Sequence, residues 1–207
     1  MDARTKTLEG WGMRDQARCR VVRPRDIRQL AGIFAEVAAG GGTLGLRGAG
    51  CSYGDAALNR DQTVLDCTAL NRVLAWDPRS GQITVEPGVT IAQLWQHMLP
   101  DGWWPAVVPG TSAVTVGGAA ATDVHGKNNW RIGSFGDWVL SFDLLLPSGA
   151  TLTCSRHREP DLFYAAIGGL GLLGCFTALT CCTTKSLWSG SFPAAASSTS
   201  CPLAGRA

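Results

Sequence analysis

The segment that most constrains the fold is GAGCSYGD, residues 48 to 55, in which three glycines surround a single cysteine. It follows the apolar stretch Thr43 to Leu46. Glycine permits left-handed backbone and close approach of the main chain to another group. The segment therefore predicts a loop at the end of a strand. Consecutive N–H groups in such a loop can hold a pyrophosphate, but the same residues are also typical of a simple tight turn.

The composition predicts a folded globular protein with no strongly charged surface. A chain of 207 residues, 45% of them apolar, is long enough for one generous domain or two small ones. Lysine and arginine number 18 against 16 acidic residues, which gives a net charge of +2. A charge this small creates no strong field, so we expect no nucleic-acid partner and no charge-driven binding to a membrane.

The cysteines and histidines predict neither a metal site nor a redox motif. None of the eight cysteines forms a C-x-x-C pair, and the three histidines are widely separated. The first residues, MDARTKTLEGWGMRDQ, carry charges of both signs and no apolar run, so we expect no secretory signal. These features favour free thiols in the cytoplasm, with a peripheral position at the inner membrane as the alternative.

Hydrophobic spacing predicts an α/β beginning. Apolar residues recur at helical spacing between Arg25 and Gly40, and the glycine run that starts at Gly40 ends this helix. Short apolar runs predict strands at Arg20 to Val22, Thr43 to Leu46, Thr63 to Asp66, Val73 to Trp76 and Gln82 to Glu86. Residues 77 to 81 form the turn between the last two strands.

The second half mixes short helices with strands. Thr90 begins a helix, because Gln93 three residues later completes a capping box, and Pro100 ends it. Two further strands are predicted at residues 139 to 146 and 151 to 154.

The stretch from Leu162 to Cys182 carries no charge and is long enough to span a bilayer. Glycines and threonines dilute its hydrophobicity, and Gly168-Gly169 has the character of a helix end. We expect a buried helix, a turn and a strand here; a small membrane-anchored protein is the alternative. Residues 183 to 207, rich in serine and alanine, are predicted to be a disordered or aberrant tail.

A second glycine motif, Gly169-x-Gly171-x-x-Gly174, matches the dinucleotide fingerprint. That fingerprint binds pyrophosphate only between a strand and a following helix. Here a helix-like segment, DLFYAAI, precedes the motif and a strand-like one, CFTALTC, follows it. The inverted order favours a packing turn over a nicotinamide site.

Two separated glycine-rich loops predict a long ligand that lies between two lobes. The second loop is PGTSAVTVGGAAATDVHGKN, residues 109 to 128. Together with GWG at 10 to 12, GSFGDWVLSFDLLLPSG at 133 to 149 and PDLFYAAIGGLGLLG at 160 to 174, the loops resemble the FAD-binding domain of the vanillyl-alcohol oxidase and p-cresol methylhydroxylase type. SYGD and HGKN are most similar to the decaprenylphosphoryl-ribose 2′-oxidase group, with sugar-lactone and alditol oxidases as more distant members.

The resemblance implies a two-lobed α+β domain over residues 10 to 182, with FAD between a small βαβ-containing lobe (about 10 to 88) and a larger mixed lobe (about 89 to 182). The family's substrate domain is absent from this sequence. The implied FAD contacts are Arg47, Gly48, Ala49, Gly50, Cys51, Ser52, Tyr53, Gly54, Asp55, Gly110, Thr115, Val116, Gly117, Gly118, Thr122, Asp123, His125 and Phe176. Residues 48 to 55 would wrap the pyrophosphate, residues 122 to 125 would approach the isoalloxazine, and Phe176 would approach the adenine.

The resemblance also implies a reaction. Such proteins remove a hydride from a hydroxyl-bearing carbon of a sugar or polyol and deliver it to flavin N5. His125 or Lys127 would stabilise the negative charge of the reduced ring. Because the substrate domain is missing, we expect a truncated chain, and FAD binding without turnover is the alternative. An uncapped apolar surface would favour self-association.

Cys51 bears on how the flavin is held. In members with covalently attached flavin, its position resembles a histidine that is bonded to the ring. The most similar group has an arginine there and holds FAD non-covalently. The resemblance therefore implies non-covalent FAD in this chain.

Overall fold

Ten strands in two sheets and five α-helices make up residues 3–185, the part of the chain that the computed structural model describes. The first sheet contains β1 (Ala3–Glu9), β2 (Gln16–Val22), β3 (Leu44–Arg47) and β4 (Thr63–Asp66), in the order β1-β2-β4-β3. β1 and β2 form an antiparallel hairpin, whereas β4 runs parallel to both of its neighbours. The first lobe is therefore a mixed sheet built around a βαβ unit.

The first helix, α1 (Leu30–Ala39), connects β2 to β3. A 3-10 turn at Ile27–Gln29 precedes it, and the Asp26 carboxylate caps that turn by accepting a hydrogen bond from the amide of Arg28. Leu30, Ile33, Phe34 and Val37 are its buried residues. The helix predicted between residues 25 and 40 is confirmed. Its regularly spaced apolar residues form one face, and that face packs against the first sheet.

The second sheet is antiparallel and carries most of the core. Its strands are β5 (Val73–Asp77), β6 (Gln82–Val85), β7 (Trp103–Pro105), β8 (Val139–Leu145), β9 (Thr151–Ser155) and β10 (Cys175–Lys185). The order is β5-β6-β10-β8-β9, and β7 pairs with the last residues of β10. β10 is central, which explains why nearly all of its residues are buried or half-buried.

Four short helices accompany this sheet. They are α2 (Ile91–Met98), α3 (Val116–Ala121), α4 (Asn129–Ile132) and α5 (Pro160–Ala166). The capping box predicted at the start of α2 is present, with the Gln93 amide donating to Thr90 Oγ1 and the Thr90 amide donating to Gln93 Oε1. Mixed helices and two sheets confirm the predicted α+β class.

The change from one sheet to the other lies earlier in the chain than the sequence indicated. Both β5 and β6 belong to the second sheet, so the transition falls between Asp66 and Val73, whereas the prediction placed it near residue 88. The reason is a long-range contact: β6 pairs with β10, whose residues Leu179 to Cys182 come almost a hundred positions later. No local sequence signal reports such a pairing.

Three buried clusters form the core of the described residues, and two of them bear on the cleft. In the largest, the Phe142 ring stacks on Phe163 with centroids 5.3 Å apart and meets Phe176 edge-on at 4.8 Å. In the second, Leu30 and Leu65 from the first lobe pack with Leu145 and Cys175 from the second. This second cluster fixes the two sheets against each other and thereby sets the shape of the space between them.

The apolar stretch at residues 162 to 182 is divided between α5, a glycine-rich turn and β10, as expected. Among residues 3–185, none of the helices has the length and hydrophobicity needed to cross a membrane. Residues 183 to 185, assigned by prediction to the tail, instead complete β10, because they pair with β7. The rest of the predicted tail lies outside the described residues.

Candidate functional site

The loops after β3 and β4 open onto a cleft between the two sheets, at the carboxyl ends of these parallel strands, where open α/β sheets usually bind ligands. The cleft encloses about 860 Å³, part of it open to solvent. Its walls include Leu46, Arg47, Gly48, Ala49, Gly50, Cys51, Ser52, Ala56, Ala57, Cys67, Pro87, Val114, Thr115, Gly117, Gly118, Ala121, Thr122, Val124, Leu170, Gly171, Gly174, Cys175 and Phe176. Both predicted glycine loops therefore face one space.

The first glycine loop presents main-chain donors to this cleft. Within residues 3–185, no oxygen accepts a hydrogen bond from the amides of residues 48 to 52. Unpaired amides of successive residues form a concave, electropositive surface that suits an anion. Ala49 is exposed and its neighbours in the loop are half-buried, so these amides are accessible to a ligand that carries several acceptor oxygens.

At two positions of the loop, Gly48 and Gly50, a side chain would collide with neighbouring atoms. A Cβ atom on Gly48 would collide with Oγ1 of Thr115, across the cleft. Gly50 has a φ of +73°, and a Cβ there would collide with the guanidinium group of Arg47. The bare backbone thus lets the loop approach both the opposite wall and the side chain that supports it.

The Arg47 side chain lines the cleft and also anchors the loop by hydrogen bonds. Its NH1 donates to the carbonyl of Ala57 at 3.1 Å, and its NH2 donates to the carbonyl of Glu9 at 2.9 Å. These bonds tie β1 and both ends of the loop together. The guanidinium therefore adds positive charge close to the unpaired amides while its own hydrogen bonds serve the fold.

The wall opposite the loop is formed by Thr115 and the small residues of α3, and it offers few free hydrogen-bond donors. Thr115 caps α3 by accepting a hydrogen bond from the amide of Gly118, and the amide of Gly117 donates to the carbonyl of Pro87 at 2.8 Å. The amide of Val116 donates to Val89, and its side chain is buried in the core. The small residues of α3 thus let the helix lie close to the loop. The amides of residues 116 to 118 already donate hydrogen bonds within the protein.

The two ends of the cleft differ in exposure. One end continues into a wider space of about 1,030 Å³ lined by Trp11, Tyr53, residues 109 to 111 and Val124. The other end is closed by Cys67, Cys175 and Phe176, all of them buried. A long ligand would therefore have one solvent-facing end and one enclosed end.

Thirteen of the eighteen predicted cofactor contacts line the cleft or its wide end. They are Arg47, Gly48, Ala49, Gly50, Cys51, Ser52, Tyr53, Gly110, Thr115, Gly117, Gly118, Thr122 and Phe176. Gly54, Asp55, Val116, Asp123 and His125 do not line it. The motifs therefore supply residues of both kinds, those that line the cleft and those that lie outside its lining, and their role as cofactor contacts stays a prediction.

Asp123 is a supporting residue. Its carboxylate accepts hydrogen bonds from the amide of Gly136 at 2.8 Å and from Oγ of Ser134 at 2.9 Å. His125 and Lys127 follow it on an exposed segment, where the backbone of His125 bridges to Ser134. The side chain of Asp123 thus fixes the start of the segment that carries His125 and Lys127.

Cys51 lines both the cleft and its wide end, and it is partly exposed. Burial raises the pKa of its thiol above the ordinary value, and the nearby charge of Arg47 opposes this shift with a smaller effect. At neutral pH the group is a thiol, which is a poor nucleophile. Among residues 3–185, no cluster of histidine, cysteine or acidic residues has the arrangement of a metal site.

Several residues that line the cleft were not predicted from the sequence. Leu170 and Gly171 belong to the second glycine motif, for which the sequence favoured a packing turn. The amide of Leu170 donates to the carbonyl of Ala121 at 2.8 Å. Trp11 reaches the wide end from the turn between β1 and β2. The GWG and GGLGLLG motifs contained these residues, but only the tertiary fold brings them to the cleft.

Two lobes enclose a cleft that is bordered by a glycine loop with unpaired amides, and comparison with known proteins identifies this arrangement as a flavin-binding domain. The family model described as FAD binding domain matches residues 19–155, and the chain belongs to this family. FAD is the cofactor that this family binds, and its flavin-dependent members are oxidoreductases.

Relatives and a solved structure agree with this assignment. The decaprenylphosphoryl-beta-D-ribose oxidase of Mycolicibacterium smegmatis is 41% identical over 82% of this chain and 37% of its own length. The L-gulonolactone oxidase of Mus musculus is 31% identical over 70% of this chain and 33% of its own. A xylooligosaccharide oxidase from Myceliophthora thermophila C1, solved with xylobiose, has the same fold, with a TM-score of 0.74 and 23% identity over 81% of this chain and 36% of its own. The chain thus spans about a third of the length of these proteins.

Proposed function

We propose that this chain binds FAD non-covalently in the cleft between the two sheets and acts in the oxidation of a hydroxyl-bearing carbon of a small sugar-type substrate. The observation that carries the proposal is the row of unpaired amides at residues 48 to 52. A pyrophosphate offers the acceptor oxygens that these amides need. Arg47, behind the loop, supplies the positive charge that balances the diphosphate.

The difference between the two ends of the cleft orients the cofactor. A reacting ring has to be reached by substrate, so it belongs at the wide end beside Tyr53 and Thr122. The enclosed end, where Phe176 and Cys175 are buried, suits the adenine. The residues between them, chiefly the glycine loop and Thr115, would hold the diphosphate.

The names of two relatives support the proposed substrate class. One is named for a phosphoryl-linked ribose and another for a sugar lactone, and both names describe an oxidase. Bound FAD accepts a hydride at its ring. The chain's contribution is to bind and orient the cofactor and to leave one side of the wide end open for a sugar or polyol.

His125 and Lys127 are proposed to stabilise the charge that develops on the reduced ring. The segment that carries them begins directly after Val124, which lines the wide end. A cation near the ring stabilises its reduced, anionic form.

We expect Lys127→Ala to lower the midpoint potential of the bound flavin and, where substrate reduces it, to slow that reduction by about 10²-fold. His125→Ala should act in the same direction, and both variants should retain their flavin. The control is Lys6→Ala, which removes an exposed lysine of β1. An unchanged potential in both variants would remove His125 and Lys127 from this role.

The binding proposal is tested by competition. Purified protein is titrated with FAD, and the flavin is then displaced by ADP, AMP or riboflavin. If the amides bind the pyrophosphate, ADP competes much better than AMP or riboflavin. Acid precipitation should release all of the flavin, because the Cys51 thiol is not bonded to it.

Equal competition by AMP and ADP would contradict the assignment of the loop, and flavin retained in the precipitate would contradict non-covalent binding. Addition of sugar lactones and aldoses under anaerobic conditions then separates two functions. Bleaching of the flavin supports oxidation of the substrate. Bound flavin that no such compound reduces supports FAD binding without turnover.

A further inference from the structure

The turn between β1 and β2 is anchored to the glycine loop. Its first residue, Gly10, donates to the carbonyl of Asp15 at 2.9 Å and accepts a hydrogen bond from the amide of Met13 at 3.0 Å. Trp11 donates its amide to the carbonyl of Ser52 at 2.9 Å. The turn is thus closed on itself and joined by its main chain to the loop proposed to bind the diphosphate.

This anchoring places the Trp11 side chain at the wide end of the cleft. The same space is lined by Tyr53, Thr122 and Val124. Trp11 is 47% exposed, an unusually open position for an indole whose backbone is fixed. An aromatic face held at the mouth of a cleft suits a flat ring.

The indole N–H supports the same interpretation. The indole nitrogens of Trp76, Trp103 and Trp138 each donate a hydrogen bond, to Asp101, to the carbonyl of Pro78 and to the carbonyl of Ile132. Within the described part of the chain, the indole nitrogen of Trp11 has no such partner, and the same is true of Trp95, Trp104 and Trp130. Of these four, Trp11 is the one that lines the wide end of the cleft.

We propose that Trp11 forms the aromatic wall of the cleft's wide end and lies in van der Waals contact with the flavin ring of bound FAD. This inference rests on the proposed function, and it adds a contact outside both glycine loops. The contact would connect β1, through the turn, to the reacting end of the cofactor. Trp11 would then position the ring, while the loop amides position the diphosphate.

Flavin fluorescence tests the contact directly. An indole that touches an excited flavin quenches its emission by electron transfer, whereas a phenyl ring does not. Tyr53 is oxidisable too, so the comparison is made in a Tyr53→Phe background. We expect Trp11→Phe to raise the emission of bound FAD several-fold and to remove its fastest decay component. Loss of the larger ring should weaken FAD binding by about two- to tenfold.

Trp130→Phe is the matched control, because Trp130 is 82% exposed and lines neither part of the cleft. It should leave the emission, the decay and the affinity unchanged. If Trp11→Phe binds FAD and its emission and decay match the parent, the contact is refuted while the proposed function stands. If the parent protein binds no FAD, the proposed function and this inference both fail.

Discussion

Gly50→Ala should weaken FAD binding by at least tenfold. Gly50 has a φ of +73°, and a side chain there costs about 1–2 kcal/mol in left-handed backbone. The new Cβ would also collide with the guanidinium of Arg47, which holds the loop to Glu9 and Ala57. Arg47 can make room only if it gives up its hydrogen bonds to Glu9 and Ala57, and their loss releases the loop from β1. Fluorescence titration with FAD measures the loss.

Gly54→Ala is the matched control for this substitution. Gly54 has a φ of +65°, but a Cβ there meets no other heavy atom within 4 Å, and the residue does not line the cleft. The control therefore carries the backbone strain without the collision with Arg47. We expect Gly54→Ala to lower stability slightly and to change FAD affinity by less than Gly50→Ala does. Equal affinity losses in the two variants would show that the loop geometry at Gly50 is not specific to binding.

Phe142→Ala should destabilise the protein by about 3–5 kcal/mol. Phe142 is 2% exposed and lies between the rings of Phe163 and Phe176 in the core of the second sheet. Its removal leaves a cavity in a β-sheet core, where the surrounding strands cannot easily collapse. The free energy of unfolding in urea measures the effect.

Leu172→Ala provides the comparison for Phe142→Ala. Leu172 is 82% exposed, so its truncation should change the free energy of unfolding by less than about 0.5 kcal/mol. Phe142→Leu, which keeps much of the buried volume, should fall between the two. A loss below about 1 kcal/mol for Phe142→Ala would mean that the aromatic cluster does not hold the sheet together.

Much of the local structure could be predicted from the sequence. The apolar spacing of residues 27 to 37 identified α1, and the Thr90–Gln93 pair identified the start of α2. A loop at residues 48 to 55 was predicted after a strand, and β3 ends at Arg47, directly before it. Each of these features depends on residues within about one turn of one another, so the sequence contains the necessary information.

Two short elements, α3 and β7, were not predicted from the sequence. α3 consists of valine, glycine and alanine, and two glycines in six residues are unfavourable for a helix. It exists because Thr115 caps it and because its small side chains pack closely beneath Pro87 and the cleft. β7 has only three residues and exists because the end of β10 provides a partner.

The faces of α1 and α2, the turns and the two glycine loops can be predicted from the sequence, because they follow from local conformational preference and hydrophobic periodicity. The position of β10 between β6 and β8 is visible only in the tertiary structure. The same is true of the contribution of Trp11 and Leu170 to the cleft and of the hydrogen bond by which Asp123 fixes Gly136. The physical reason is that wall and support residues are distinguished by the direction of each side chain and amide. Those directions are fixed by strand pairings between residues far apart in the chain.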